Sequence, residues 1–259
     1  ILTLTAYVAK EPNGKGYFQR ALANQEAGKI TAAEKDYEKA KELDPDNEKI
    51  PYNFGVMKFM QNDFEGALEE FNAAIETKPD FAFAWNDKGS CYRQMGQYAE
   101  AVKAYEEAEK RNPKLAFVLS NLGKAKRLMG DNEGALSAYN RAMSIDPNFV
   151  LAYLGRGAVL FEQGKHTQAV QDFEKALQIA PDNPLAYNNM AGIKIKKEDW
   201  TGAEKDASKA IQLDPNYANA YVNRGIAREM LRKEQEACQD WAKARELGSD
   251  AGKIYQSSN

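Results

Sequence analysis

The chain has 259 residues, 43% of them hydrophobic, with 35 Lys and Arg against 38 Asp and Glu for a net charge of −3. That balance supplies apolar side chains for a core and excludes wholesale disorder, and a slightly acidic total argues against nucleic acid or an anionic membrane as main partner. One histidine and two distant cysteines exclude a two-histidine metal site, a CxxC motif and a disulfide framework, so no metal and no cofactor is expected.

Prolines set the organisation. Pro45, Pro79, Pro113, Pro147, Pro181 and Pro215 stand 34 residues apart. Twelve residues before each lies an alanine (Ala33, Ala67, Ala101, Ala135, Ala169, Ala203), and five before each lies another (Ala40, Ala74, Ala108, Ala142, Ala176, Ala210). Ala237, Ala244 and Ser249 continue the register. Repetition at this period is the signature of a stacked helical array.

Within each repeat the residue types predict two helices of about four turns with short connections. A small residue sits in the first helix (Ala21, Gly55, Gly89, Gly123, Gly157, Ala191, Gly225), so helix backbones can approach closely. An aromatic follows four residues after the first alanine (Tyr37, Phe71, Tyr105, Tyr139, Phe173, Trp241), on the same face as that alanine. Gly28, Gly96, Gly130 and Gly164, with Asn62, fall where a left-handed residue would end the first helix. The Asp or Asn after most prolines (Asp46, Asp80, Asn148, Asp182, Asn216) is placed to cap the next helix.

In chain order, segment 1–13 is expected as the remnant second helix of an earlier repeat, because Ala6 falls one period before Ala40. Its apolar start, Ile1 to Ala9, is short of the roughly 20 residues of a membrane helix. Seven repeats follow: 14–47, 48–81, 82–115, 116–149, 150–183, 184–217 and 218–251. Residues 252–259 form a tail in which Tyr255 is in register to begin a capping helix.

These small, aromatic, alanine and proline positions resemble the tetratricopeptide-repeat family over residues 14–251, with Trp85 and Gly89 matching the family's opening. The resemblance implies an all-α, right-handed superhelical solenoid of antiparallel helix pairs, and the regular, Asn-rich repeats are similar to bacterial members. Three departures stand out. Pro51 replaces an opening aromatic. Ala207 replaces a second-helix ring, for which Trp200, seven residues earlier on the same face, is expected to compensate. Asn24, Lys58, Lys126, Lys194 and Arg228 occupy a position where the family prefers an aromatic, which suggests a looser, more solvated first-helix contact.

The resemblance further implies that first helices line a concave groove where ligands bind. Carried over position by position, the residues that hairpin packing leaves unexplained are Tyr52, Asn53 and Phe59 in the second repeat and Asn86, Asp87, Ser90 and Arg93 in the third. Asn121, Lys124 and Arg127 follow in the fourth, Leu154 and Phe161 in the fifth, Asn188 and Asn189 in the sixth, and Asn223 in the seventh. The expected partner is a protein or peptide with an acidic group near the central cations. The plain alternative is that the apolar members pack on adjacent first helices and the cations are solvated surface. Two sharper family arrangements fit less well. The carboxylate clamp needs a Lys–Asn, Asn, Lys–Arg set that no three consecutive repeats supply; an asparagine ladder at Asn53, Asn121, Asn189 and Asn223 is interrupted by Asp87 and Gly155, and as a partial ladder it supports backbone recognition of an extended peptide.

Enzyme readings find little support. His166 stands where other repeats carry Phe64, Tyr98 and Trp200, as a packing substitute, and Cys91 reads as core. Gly14-Lys15-Gly16 lacks the spacing of a phosphate-binding loop. The sequence therefore predicts a non-catalytic binding scaffold, an adaptor in assembly of a larger complex, in the bacterial cytoplasm or cell envelope. The alternatives are a self-associating structural array joined through its end repeats, or the substrate-recognition region of a larger enzyme.

Overall fold

The computed structural model describes residues 12–250 together with Ala6. Apart from Ala6, Pro12 and Asn13, the expected remnant helix within 1–13 and the capping helix within 252–259 lie outside the described residues. Among the described residues there are fourteen helices and no strand. They are α1 (Gly14–Glu26), α2 (Ile30–Leu43), α3 (Lys49–Met60), α4 (Phe64–Thr77), α5 (Ala82–Gln94), α6 (Tyr98–Arg111), α7 (Ala116–Leu128), α8 (Asn132–Ile145), α9 (Val150–Glu162), α10 (His166–Ile179), α11 (Pro184–Lys196), α12 (Trp200–Leu213), α13 (Ala218–Met230) and α14 (Glu234–Glu246). The fold is all-α, and no described helix is long and apolar enough to cross a membrane.

The chain divides into two compact halves, Ile1–Gly134 and Ala135–Asn259. In the N-terminal half α1–α2, α3–α4 and α5–α6 pair as hairpins, and α7 lies against α5 and α6. In the C-terminal half α9–α10, α11–α12 and α13–α14 pair likewise. Within each half successive first helices also touch, α1 with α3 and α5 with α7, then α9 with α11 and α11 with α13.

The hairpins close by setting a glycine against a ring. A Cβ on Gly55 would stand 2.8 Å from the Phe71 ring, and one on Gly89 2.8 Å from Tyr105. On Gly157 it would stand 2.5 Å from Phe173, and on Gly225 2.3 Å from Trp241. All four rings are buried, as are the alanines at both conserved spacings. In the sixth repeat Ala191 and Ala207 are both fully buried, and Trp200 is half-buried.

Each first helix ends on a left-handed residue: Gly28, Asn62, Gly96, Gly130 and Gly164, as the sequence predicts, and also Glu198 (φ 60°) and Arg232 (φ 61°). The following amide bonds the carbonyl five residues back in every case, for example Lys29 N–H to Asn24 at 2.8 Å and Asp199 N–H to Lys194 at 2.9 Å. The hairpin imposes the turn even where the side chain disfavours it.

The capping expectation is corrected. The residue after each proline is spent in the turn, and the next first helix starts later, capped from Glu48, Phe81, Phe149, Asn183 and Tyr217. Only Asn183, among these five, uses its side chain, accepting from Ala186 N–H at 3.0 Å. The Asp or Asn before the proline acts instead: Asp146 accepts from Asn148 N–H at 2.9 Å and Asp214 from Asn216 N–H at 2.9 Å. Side-chain caps on second helices come from Asp63, Asp131 and Asp199, which accept from Gly66, Gly134 and Gly202 N–H at 2.9–3.0 Å.

The expected loose contact at the substituted aromatic positions is also corrected. Four of these five polar side chains pair with acids of second helices. Lys194 meets Asp206 at 2.7 Å, Lys126 meets Glu106 at 3.1 Å, and Arg228 meets Asp240 at 2.9 Å and Glu204 at 3.0 Å. Asn24 donates to Asp36 at 2.9 Å, and Lys58 lies 4.7 Å over the Phe54 ring. One turn before that position, three repeats carry an arginine that also meets a second-helix acid. Arg20, Arg156 and Arg224 each form two bonds of 2.6–2.9 Å to Asp36, Asp172 and Asp240, buried acids one residue before the core ring. Arginine suits this place because its planar fork fills both carboxylate oxygens at once.

Candidate functional site

The residues expected to bind a partner fall in two groups, one in each half. In the N-terminal half the first helices α3, α5 and α7 are joined by a polar chain. The Tyr52 hydroxyl donates to Asp87 at 2.8 Å, the Asn86 amide donates to the other oxygen of Asp87 at 2.9 Å, and Asn121 donates to Asn86 at 3.0 Å. Burial pushes the Asp87 carboxyl up from its usual range, opposed by the bonds from Tyr52 and Asn86. The Tyr52 hydroxyl is pushed up by burial and then by the Asp87 charge. Asn86 is itself buried, so it ties the helices together and presents no surface. Asn53 bonds the Lys49 carbonyl of its own helix at 2.7 Å. Phe59 packs edge-on against Phe64, 5.4 Å between centroids.

Towards the C-terminal ends of α5 and α7 the cations gather. Ser90 and Arg93 both reach the Tyr105 hydroxyl, at 3.0 and 3.4 Å. Lys124 is exposed on α7; partial desolvation, and then the charges of Arg93 and Arg127, hold its ammonium below the usual lysine range. Past the Asn121–Asn86 bond that ties α5 to α7, Arg93 follows Asn86 by seven residues and Lys124 and Arg127 follow Asn121 by three and six, so the three cations share one end of the two neighbouring helices.

At the opposite ends of the same helices lies a row of rings of which the sequence expectation names only Tyr52. Tyr52 and Phe81 are 4.9 Å apart, Phe81 and Phe83 6.2 Å, and Phe83 and Phe117 5.7 Å, stacked. Phe83 is 44% exposed. The signal was present: Phe83, Phe117, Leu151 and Leu185 recur every 34 residues outside the core pattern.

The C-terminal half repeats the amide device. Asn223 donates to Asn188 at 2.8 Å, and the buried Asn188 donates to the Tyr217 hydroxyl at 3.2 Å. Of the ladder amides, Asn121 and Asn223 are thus engaged with the preceding repeat, and Asn53 with its own helix. Asn189 is half-buried. Leu154 is corrected from groove to core, at 3% exposure among Phe173 and Ile193. Phe161 belongs to the same cluster and lies 5.3 Å from the His166 ring, which leaves the histidine as the packing substitute its position suggested. Leu151 and Met230 are exposed. Cys91 is buried as expected, its thiol pushed up to about 12 chiefly by burial.

Models of the tetratricopeptide repeat match residues 14–47, 80–148, 150–183 and 207–239. A curated relative, an uncharacterised protein of Methanocaldococcus jannaschii, is 44% identical over 50 residues, 19% of this chain. The matched stretch is 58% of that relative's length. Among solved structures, a tetratricopeptide repeat protein from Parabacteroides merdae superposes with a TM-score of 0.79 at 19% identity, covering 94% of this chain and 96% of that one. YrrB, a repeat protein with an unusual peptide-binding site, gives 0.53 at 24% identity, covering 71% and 95%. PilW, a type IV pilus biogenesis factor, gives 0.70 at 18% identity, covering 81% and 98%. Identities this low speak for the fold alone.

Proposed function

Because this chain belongs to the tetratricopeptide-repeat family, we propose that it is a non-catalytic scaffold whose first helices present a groove to a partner peptide or protein, as an adaptor in assembly of a larger complex. One observation carries the reading: α5 and α7 hold a stacked ring pair at one end, exposed at Phe83 and half-buried at Phe117, and cations at the other, where Lys124 is exposed. An apolar surface and a charged one on the same helices offer a partner both burial and steering. The peptide-binding site of YrrB and the biogenesis role of PilW support partner binding and assembly as uses of this fold, and PilW makes the bacterial cell envelope the first compartment to examine.

The test is affinity capture with the wild-type chain against Phe83→Ala/Arg93→Ala/Lys124→Ala. Asn86 is left intact because it is buried and bonded on both sides. Loss of a defined partner in the triple variant, with unchanged helicity, supports the groove. An unchanged set of captured proteins would move binding to the other helix faces.

A further inference from the structure

Resting on that groove reading, we propose that the N-terminal half takes an extended peptide in one register. A bulky apolar side chain lies over Phe83 and Phe117, and the carboxylate of an Asp or Glu side chain three to five residues along lies at Arg93 and Lys124.

Phe83, Asn86, Ser90 and Arg93 recur at three- or four-residue steps on α5, so they share one face; Phe117, Asn121 and Lys124 do the same on α7. The Asn121–Asn86 bond of 3.0 Å sets the two stripes side by side. At about 1.5 Å per residue, the ten residues from Phe83 to Arg93 span roughly 15 Å, and the seven from Phe117 to Lys124 about 10 Å. An extended ligand covers that distance in about three to five residues at roughly 3.3 Å each, whereas a helical one needs about seven to ten.

Two features of the middle of the stripe choose the extended form and its polarity. Asn121 spends an amide N–H on Asn86 but keeps its side-chain carbonyl oxygen between the two ends, an acceptor of use to an extended backbone with unpaired N–H groups and of none to a helix that satisfies its own. The Asp87 carboxyl, held by Tyr52 and Asn86, lies four residues past Phe83 and six before Arg93 on α5, so a ligand acid is better placed at the cations than near the rings. With apolar and acidic anchors at opposite ends, reversing or sliding the peptide loses one of them.

Fluorescent synthetic peptides test the register. Each carries one Phe and one Glu in a Gly/Ser/Gln background, four or eight residues apart, with a Glu→Gln control, and is titrated against the full chain by anisotropy. The expected result is at least tenfold tighter binding at spacing four than at spacing eight or in the control. That preference should disappear in Arg93→Gln/Lys124→Gln and in Phe83→Ser, both checked for unchanged helicity, and weaken with added salt. Tighter binding at spacing eight, equal binding at both spacings, or a preference surviving in either variant overturns the register. If no peptide binds while partner capture still depends on Phe83, Arg93 and Lys124, the register falls and the groove reading stands; if capture is also indifferent to them, both fall.

Discussion

The ionic pair Arg156–Asp172 gives an asymmetric expectation that follows from burial. Asp172 is 3% exposed and takes bonds of 2.8 and 2.6 Å from the guanidinium, while the Arg156 side chain is 29% exposed and also reaches Asn140 at 2.6 Å. Arg156→Met strips a carboxylate that cannot reach water, so the full cost of an uncompensated buried charge, about 3–5 kcal/mol, should appear near neutral pH. Asp172→Asn keeps one acceptor in place and leaves a guanidinium that is already partly hydrated, so about 1–2 kcal/mol is expected. The double variant Arg156→Met/Asp172→Asn removes both charges and should cost about 2 kcal/mol or less, below the sum of the single costs, giving a coupling of at least ~2 kcal/mol. Urea unfolding followed by helicity measures the cycle. Arrays can unfold piecewise, so hydrogen exchange of the α9 and α10 amides should be read alongside to localise the loss. Additive single costs, or an Arg156→Met cost below about 1 kcal/mol, would refute the view that these pairs hold the hairpins together.

Glu198→Gly and Arg232→Gly should each stabilise by about 0.5–1 kcal/mol in urea titrations, since relief of the left-handed strain exceeds glycine's added chain entropy; a loss of stability at either site would contradict this. Gly89→Ala should cost about 1–2 kcal/mol, because crowding the buried Tyr105 ring outweighs the gain in helix propensity; a neutral midpoint would show that the ring can move aside. Glu70 is held above its usual carboxylate range, mainly by burial, with Lys41 opposing. Its folded form binds the proton more tightly than the unfolded chain, so its contribution is complete below the unfolded value near 4.5 and is lost as pH rises through the higher folded one. Relative to wild type, Glu70→Gln should therefore gain stability as pH rises from about 4.5 to neutrality; parallel melting curves across that range would count against it.

What was legible in the sequence is what every repeat must share. Proline, alanine, glycine and ring recur at 34 residues because each hairpin solves the same close-packing problem, and a residue type that only one geometry tolerates can be read without coordinates. The polar network was not legible, because its partners sit at spacings that no helix face connects. Arg20–Asp36, Arg156–Asp172 and Arg224–Asp240 each join residues sixteen apart across a hairpin, and only three of the repeats carry the pair. The left-handed turns at Glu198 and Arg232 escaped for a different reason: local preference argues against them, and tertiary contact overrules it. The candidate groove shows both limits together. Asn86 and Asn188 look like ligand amides when only their helix face is known, yet a second asparagine, thirty-five residues on, takes up each of them. Phe83 and Phe117 look like ordinary helix starts until they are found stacked and half in water. A repeat pattern identifies the residues that cannot change. Among those free to change, only the contact with the neighbouring repeat separates side chains engaged in holding the array from side chains left to meet a partner, and that is why the binding reading passes from the asparagines to the rings and cations of α5 and α7.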